Sequence, residues 1–400
     1  MEGYYNLEYV DGELVLTLSQ PTGNNPVVLA NLMVLSRNKT AAYRALSAIA
    51  ASQSATGTLA KYANRVAGTA DPQAVSHMLA ALDGEELSSA MSNQIEGNLA
   101  HLRRLRSAIG SGQTFAPKEG VSAYVTAFND NYKVQADASG PGFKRVEWGA
   151  NVGIETRLDP TTLVGIGVSD SRTRITPEGT DNPATRQHED TVRVNVYLAK
   201  DFGNGLKSVT SLGMGMHRYN YRRTLPDGET SRTTDMDGTS FNFMEEISYT
   251  IFAKDGNELS AYAQLMSSVN RIGSFTESGA GSASLHGESR SAWATDISIG
   301  LRYATSFAFV EGAPAATAGI SGGVVFSVGD TTADLDLRFA GAPRVGYSVS
   351  SARRNRVGYN LSGDLMVPVC NDAAIIGSAG AVLRGDSAEA NASVGIRVNF

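Results

Sequence analysis

The side chains most often used for chemistry are sparse and dispersed along this chain. His77, His101, His188, His217 and His286 never fall at the short spacings that place two ligands on one metal ion. Cys370 is the single cysteine, which excludes a disulfide framework, a zinc cluster and a CxxC redox pair. With no histidine near it in sequence, it reads as a small apolar residue and not as a nucleophile. GISGG at 319–323 is read as glycine on a strand face and not as a nucleophile elbow. GDS at 385–387 is a turn, and there is no phosphate loop. No catalytic residue, cofactor or metal is expected.

What remains is charge, and it recurs with a period of two. In RVEWGANVGIETRL, Val146, Trp148, Ala150, Val152, Ile154 and Leu158 share one face. Arg145, Glu147, Asn151, Glu155 and Arg157 share the other with Gly149 and Gly153. Successive strand residues point to opposite faces, so one face is dry and the other wet. LVGIGVS repeats the pattern with Val164, Ile166 and Val168, and VRVNVYL with Val192, Val194, Val196 and Leu198. Ile297, Ile299, Leu301 and Tyr303 oppose Asp296, Ser298, Gly300 and Arg302; Val357, Tyr359, Leu361, Leu365 and Val367 oppose Asn360, Ser362 and Asp364. The chain closes on NASVGIRVNF, where Ala392, Val394, Ile396, Val398 and Phe400 are apolar and Arg397 falls between them.

These stripes imply strands over 120–130, 143–158, 161–176, 186–202, 205–224, 233–252, 257–275, 282–304, 314–331, 352–367, 373–384 and 389–400. Twelve is even, as closure of an antiparallel barrel within one chain normally requires. Asp159-Pro160 and Gly203-Asn204 are tight turns, whereas 176–186, 224–233 and 331–352 are long and polar. Short turns at one end and long loops at the other is the asymmetry of an outer-membrane barrel. The wet faces carry both charge signs among Gly, Ser and Asn, which suits a water-filled lumen better than the outside of a soluble sandwich. Glu245 is an exception. Its apolar neighbours Phe241, Phe243, Ile247, Tyr249 and Ile251 would carry it into lipid, unless a bulge or a headgroup-level position intervenes. The faces of AAIIGSAGAVL, 373–383, stay unassigned.

Composition is consistent with that reading. Mean hydropathy is −0.16, and no apolar run approaches the ~20 residues of a helical span. A net charge of −6 argues against nucleic-acid binding.

Ahead of the strands the period changes. YYNLEYVDGELVLTL, 4–18, reads as two short strands around Asp11-Gly12. Residues 25–111 are Ala-rich with helical spacing, and Asn25-Pro26 and Asp71-Pro72 each pair a capping side chain with a first-turn proline. In the last helix Leu87, Met91, Ile95, Leu99, Leu102, Leu105 and Ile109 form one stripe. Glu85 and Glu86 open it, Arg103, Arg104 and Arg106 lie near its end, and Gly110 should stop it. Its length, roughly 37 Å, exceeds the ~25 Å apolar band of such a barrel, so it can occupy the lumen. There the three arginines would either pair with Glu147, Glu155 and Asp364 or remain simply solvated.

The sequence resembles the C-terminal translocator of a type V autotransporter. LDGEELSSAM (82–91) is similar to the family's Leu-Ser-Gly-Glu before its pore helix, with Asp83 in place of the serine; FTESG (275–279), VFSVGD (325–330) and VGIRVNF (394–400) follow in the family's order. The resemblance implies an all-β membrane barrel: a 12-stranded antiparallel outer-membrane β-barrel with an α-helical linker whose last helix enters the pore. Residues 1–20 would end the passenger, 21–112 form the linker and pore helix, and 113–400 the barrel. It implies export and surface anchoring of an N-terminal passenger from a Gram-negative outer membrane, by a monomer and not an enzyme. Outer-membrane lipid, the barrel-assembly machinery, periplasmic chaperones and the passenger itself would be its partners. Val394, Ile396, Val398 and Phe400 would carry the assembly signal. Some relatives release the passenger by attack of an asparagine side chain; Asn93 and Asn98 lie on the helix, but plain helix-surface roles suit them better. MEGYYNLEYV lacks signal-peptide features, so a longer precursor is expected. A diffusion porin and a soluble all-β binding protein with a helical domain are the alternatives.

Overall fold

The computed structural model describes residues 4–10, 13–19, 35–115, 120–178, 186–308 and 314–400. Strands β1 (Tyr4–Val10) and β2 (Glu13–Ser19) pair as an antiparallel hairpin. The turn Asp11-Gly12 and the helix start at Asn25-Pro26 lie outside the described residues.

Three helices follow: α1 (Arg37–Ser52), α2 (Gly57–Gly68) and α3 (Pro72–Ala80). Ser36 caps α1 by accepting from Lys39 N at 3.3 Å, and Asp71 caps α3 by accepting from Gln73 N at 2.9 Å, with Pro72 in the first turn. Their buried faces hold Leu46, Ile49, Leu59, Val66 and Leu79 in one apolar cluster. A 3₁₀ turn at Glu85–Leu87 leads into α4 (Ser88–Phe115). The predicted stop at Gly110 is incorrect, since α4 continues through it to Phe115.

The strands that follow are β3 (Val121–Val134), β4 (Gly142–Asp159), β5 (Thr162–Glu178), β6 (Arg186–Gly203), β7 (Leu206–Thr224), β8 (Thr230–Lys254), β9 (Asn257–Ile272), β10 (Phe275–Ser278), β11 (Leu285–Gly287), β12 (Arg290–Phe307), β13 (Ala316–Gly329), β14 (Asp334–Phe339), β15 (Gly346–Ser350), β16 (Val357–Cys370), β17 (Ala373–Arg384) and β18 (Ser387–Asn399). Twelve of them close a barrel in the order β3 to β9, β12, β13, β16, β17 and β18, each antiparallel to the next. Phe400 N donates to Val121 O at 2.8 Å, so the last residue seals the seam against the first strand. The remaining four strands lie at the long-loop end, where β14 and β15 occupy a stretch expected to be an irregular loop. The tight turns are where expected: Gly203, Asn204 and Gly205 all take positive φ between β6 and β7.

The polarity of the wall is inverted relative to a soluble barrel. Trp148, Ile154 and Val194 are 44%, 53% and 42% exposed, while Arg145 and Glu155 are each 1% exposed. Apolar side chains therefore face outward and charges face a packed interior. β17 alternates weakly in sequence because both its faces are apolar: Ala374, Ile376 and Val382 are buried, Ile375 and Leu383 exposed. Glu245 does face outward. The β7–β8 register runs unbroken from Leu206↔Tyr249 to Tyr219↔Met236, so of the two alternatives a bulge at Glu245 is absent, and Thr210 Oγ1 on the same face donates to Glu245 Oε2 at 2.5 Å.

Candidate functional site

The lumen is occupied by α4, which lies most closely along β9. Its stripe, Leu87 to Ile109, joins Met244, Met266 and Ile272 of the wall in one apolar cluster. Every other side of the helix meets charge. Burying a charge is costly unless it is paired and hydrogen-bonded, so the wall must supply a partner at each level.

Near the long-loop end, Gln187 Nε2 donates to Glu86 O at 2.6 Å and Asn93 Nδ2 donates to Glu189, which also contacts His217 Nδ1 at 2.5 Å. Deeper, Arg193 Nε donates to Asn98 Oδ1 at 2.8 Å and its Nη1 to Glu147 Oε1 at 3.0 Å. Arg104 from the helix reaches Asp130 at 2.8 Å and Glu147 at 3.6 Å, and Arg145 closes on Asp130 from the wall. Arg103 bridges Glu389 and Asp296, the latter at 3.4 Å. Arg106 meets Glu246 at 2.6 Å, and Arg302 grips the same carboxylate at 2.8 and 3.1 Å. At the short-turn end Arg397 pairs with Glu155 and donates to Ala108 O at 2.7 Å, and Arg157 donates to Gln113 O at 2.5 Å.

The structure thus places all three helix arginines against lumen carboxylates, with partners that differ from expectation. Of the three carboxylates expected to meet them, only Glu147 does; Glu155 pairs with Arg397, and Asp364 lies beside Gly319 on the cavity wall. Asp130, Glu246, Asp296 and Glu389, the other partners, carry no signal in sequence beyond an inward position on a strand. Arg354 could not be foreseen at all. It comes from the segment between β15 and β16, yet lies 2.5 Å from Glu96 on the helix and 2.6 Å from Asp296. Asn93 and Asn98 are buried helix-surface residues engaged by the wall, and Val394, Ile396 and Phe400 point outward at 60%, 56% and 77% exposure, with Val398 half-buried.

Glycine allows the fit. A Cβ on Gly112 would stand 2.3 Å from Glu155 Oε1, and one on Gly97 3.1 Å from Arg145 Nη1. The helix therefore presents bare backbone where wall side chains come closest.

Both ends of the lumen differ. The short-turn end opens into a cavity of about 800 Å³ beside the last turns of α4, lined by Arg106, Tyr262, Arg302, Asn360 and Asp364. The long-loop end is covered. Asn38 on α1 exchanges two hydrogen bonds of 2.8 Å with the backbone of Ser350 on β15, and Leu59 N on α2 donates to Ser282 Oγ at 3.0 Å. Gly84, at φ +63°, enters the mouth where a Cβ would lie 2.6 Å from Leu285 Cδ1. Asp83 Oδ1 accepts from Glu85 N at 3.1 Å, a capping task that a serine could also perform. Burial, and then the charge of Glu85, push the Glu86 carboxyl up to about 7. No group of His, Cys, Asp and Glu among the described residues is arranged to hold a metal.

The family described as Autotransporter beta-domain matches residues 123–380. No curated protein matches the chain. Among solved structures, the translocator domain of the autotransporter NalP from Neisseria meningitidis is similar with a TM-score of 0.61 and 14% identity, covering 78% of this chain and 98% of that one. The β-domain of the Bordetella autotransporter BrkA is similar with a TM-score of 0.52 and 13% identity, covering 70% and 100%. At those identities the likeness concerns the fold.

Proposed function

Because the chain belongs to the autotransporter family, through the β-domain that fills most of its length, we propose that the arrangement described above is a translocator sealed after export, with α4 retained as its plug. The protein is a transporter barrel of the Gram-negative outer membrane that carries its own passenger. That membership sets aside the porin alternative, and the outward apolar faces also count against the soluble one. On this reading residues 1–20 end the passenger, 21–112 form linker and pore helix, and 113–400 the barrel, acting as conduit and anchor and not as a catalyst.

The observation that carries the plug is the matching of Arg103, Arg104 and Arg106 to wall carboxylates on three strands, β18, β3 and β8. Currents through single reconstituted barrels test it. The full chain should stay closed, and a chain lacking residues up to 111 should pass ions; equal currents would refute the plug.

The barrel-assembly machinery and periplasmic chaperones are the proposed folding partners, with Val394, Ile396, Val398 and Phe400 as the signal. In the closed barrel β18 is paired on both sides, to β17 and β3, so recognition by strand addition has to precede closure. Deleting Phe400 should lower the amount of inserted barrel; unchanged insertion would overturn the assignment.

A further inference from the structure

Above the apolar band, the outward face of the wall from β3 to β8 is unusually basic. The band ends at Val146, Val168, Val192, Met216 and Phe241, exposed at 37%, 44%, 45%, 74% and 49%. Asp170 follows Val168 on that face and Asp235 is exposed near Arg232, and several of the next charges are neutralised within the protein. Arg172 Nε lies 2.8 Å from Asp190, Arg218 Nε 3.6 Å from Asp237, and Lys133 and Lys144 share Glu178 at 3.0 and 2.7 Å. The row beyond is not neutralised. Arg174 stands directly opposite His188 across β5 and β6, and Arg222 directly opposite Arg232 across β7 and β8. Arg174, Arg222 and Arg232 are exposed and have no ion pair among the described residues. On β16 to β18 the top outward positions are instead Val357, Leu383 and Ala388.

Like charges directly opposite one another destabilise a sheet by themselves. Two guanidinium groups facing across a strand pair do, however, bracket an anion with several convergent donors, which suits phosphate. The position restricts the source. These side chains point away from the lumen, six residues past Val168 on β5, six past Met216 on β7 and nine past Phe241 on β8, so they reach the polar layer beyond the apolar band on the long-loop side.

We propose that this rim, centred on Arg174, Arg222 and Arg232, is a docking surface for phosphorylated lipid headgroups of the outer leaflet, of the kind lipopolysaccharide carries. Lipid would then pack in order along the β5–β8 wall and not along β16–β18. Each basic residue near an anionic membrane surface contributes enough that losing three weakens association by on the order of a hundredfold.

The test uses the full chain in phosphatidylcholine nanodiscs, titrated with lipopolysaccharide, with dephosphorylated lipopolysaccharide, or with inorganic phosphate. Three proteins are compared: the unaltered chain, Arg174→Ser/Arg222→Ser/Arg232→Ser, and Arg44→Ser/Lys61→Ser/Arg65→Ser on the cap helices, which removes the same charge elsewhere. Heat-modifiable gel mobility in phosphatidylcholine alone checks that all three are folded. The rim variant should lose about a hundredfold in affinity for intact lipopolysaccharide, with the cap variant unchanged. Equal binding by the rim variant, equal loss in the cap variant, or undiminished binding of the dephosphorylated lipid overturns the proposal. Displacement of bound lipopolysaccharide by millimolar inorganic phosphate would mark a free-ion site and overturn the lipid assignment.

Discussion

Asp296→Asn isolates the charge balance that holds the plug. Asp296 is 2% exposed and accepts from Arg354 Nη2 at 2.6 Å, Arg384 Nη2 at 3.0 Å and Ser327 Oγ at 2.7 Å, with Arg103 Nη1 at 3.4 Å. Around it Arg103, Arg354 and Arg384 face Glu96, Asp296 and Glu389, three cations against three carboxylates. Asparagine keeps the shape and removes one negative charge, which leaves a net positive charge in a sealed site. Removing one partner of a buried pair costs about 3–5 kcal/mol, and the partial exposure of Arg103, 16%, favours the lower end. Arg103 and Glu96 move with α4, whereas Arg384 stays on the wall and Arg354 on its loop. The lost Arg103–Asp296 attraction favours release, and the retained contacts of Glu96 with Arg354 and Arg384 offset part of it. The share that acts on plug release is therefore about 1–3 kcal/mol, or roughly a fivefold to hundredfold rise in the open-to-closed ratio.

Open probability in a planar bilayer reads that ratio directly. Adding Arg103→Gln to Asp296→Asn restores neutrality, so the double variant should open less often than Asp296→Asn alone, and the double-mutant cycle isolates this coupling. Open probability unchanged by Asp296→Asn, or raised additively in the double variant, would refute the reasoning.

Two further outcomes follow from the same geometry. Between the ordinary value of 4.5 and about 7, folded protein keeps the Glu86 proton that unfolded chain has released, so stability falls as pH rises through that window. The denaturation temperature should drop between pH 5 and 7.5, and less in Glu86→Gln; identical slopes would exclude Glu86 as the source. Gly112→Val should displace the last turn of α4 from Glu155 and raise conductance while leaving the barrel heat-modifiable, whereas Gly68→Ala, with open space around it, should change neither measurement.

The barrel was legible because lipid and lumen impose a two-residue period that no loop disturbs: Val146 to Leu158 and Val192 to Leu198 mark the lipid face of their strands without ambiguity. β17 was not legible, because its inward face packs on an apolar surface and the alternation disappears. The long-loop end is hard to read for a different reason. β14 and β15 are only six and five residues long; DLDLRF does alternate, but three apolar positions inside a long polar stretch are too few to mark a strand. The carboxylates that meet the helix could be placed on the inner face but not at a depth, since pairing across the lumen depends on barrel tilt and on where α4 sits. Gly110 misleads because glycine at a helix end and glycine at a crowded contact look alike in sequence; a Cβ there would lie 2.8 Å from Arg106 Nη1.

A plug held by charge has a consequence that an apolar plug would not. No helix among the described residues is long and apolar enough to cross a membrane, and α4 carries one narrow apolar stripe amid arginines and asparagines. Outside the lumen such a helix is at home in water and gains nothing from lipid. Inside, each arginine regains in wall carboxylates much of what it loses in hydration, so the net stabilisation is modest while the register is strongly fixed. A mainly apolar helix would bind the wall at many registers, or leave the lumen for the bilayer. A channel that must pass an extended chain and then close on one defined segment is better served by six or more discrete ionic contacts, each satisfied at one depth only. The glycines at 97 and 112 point the same way, because shifting α4 by a single turn would drive side chains into Arg145 and Glu155.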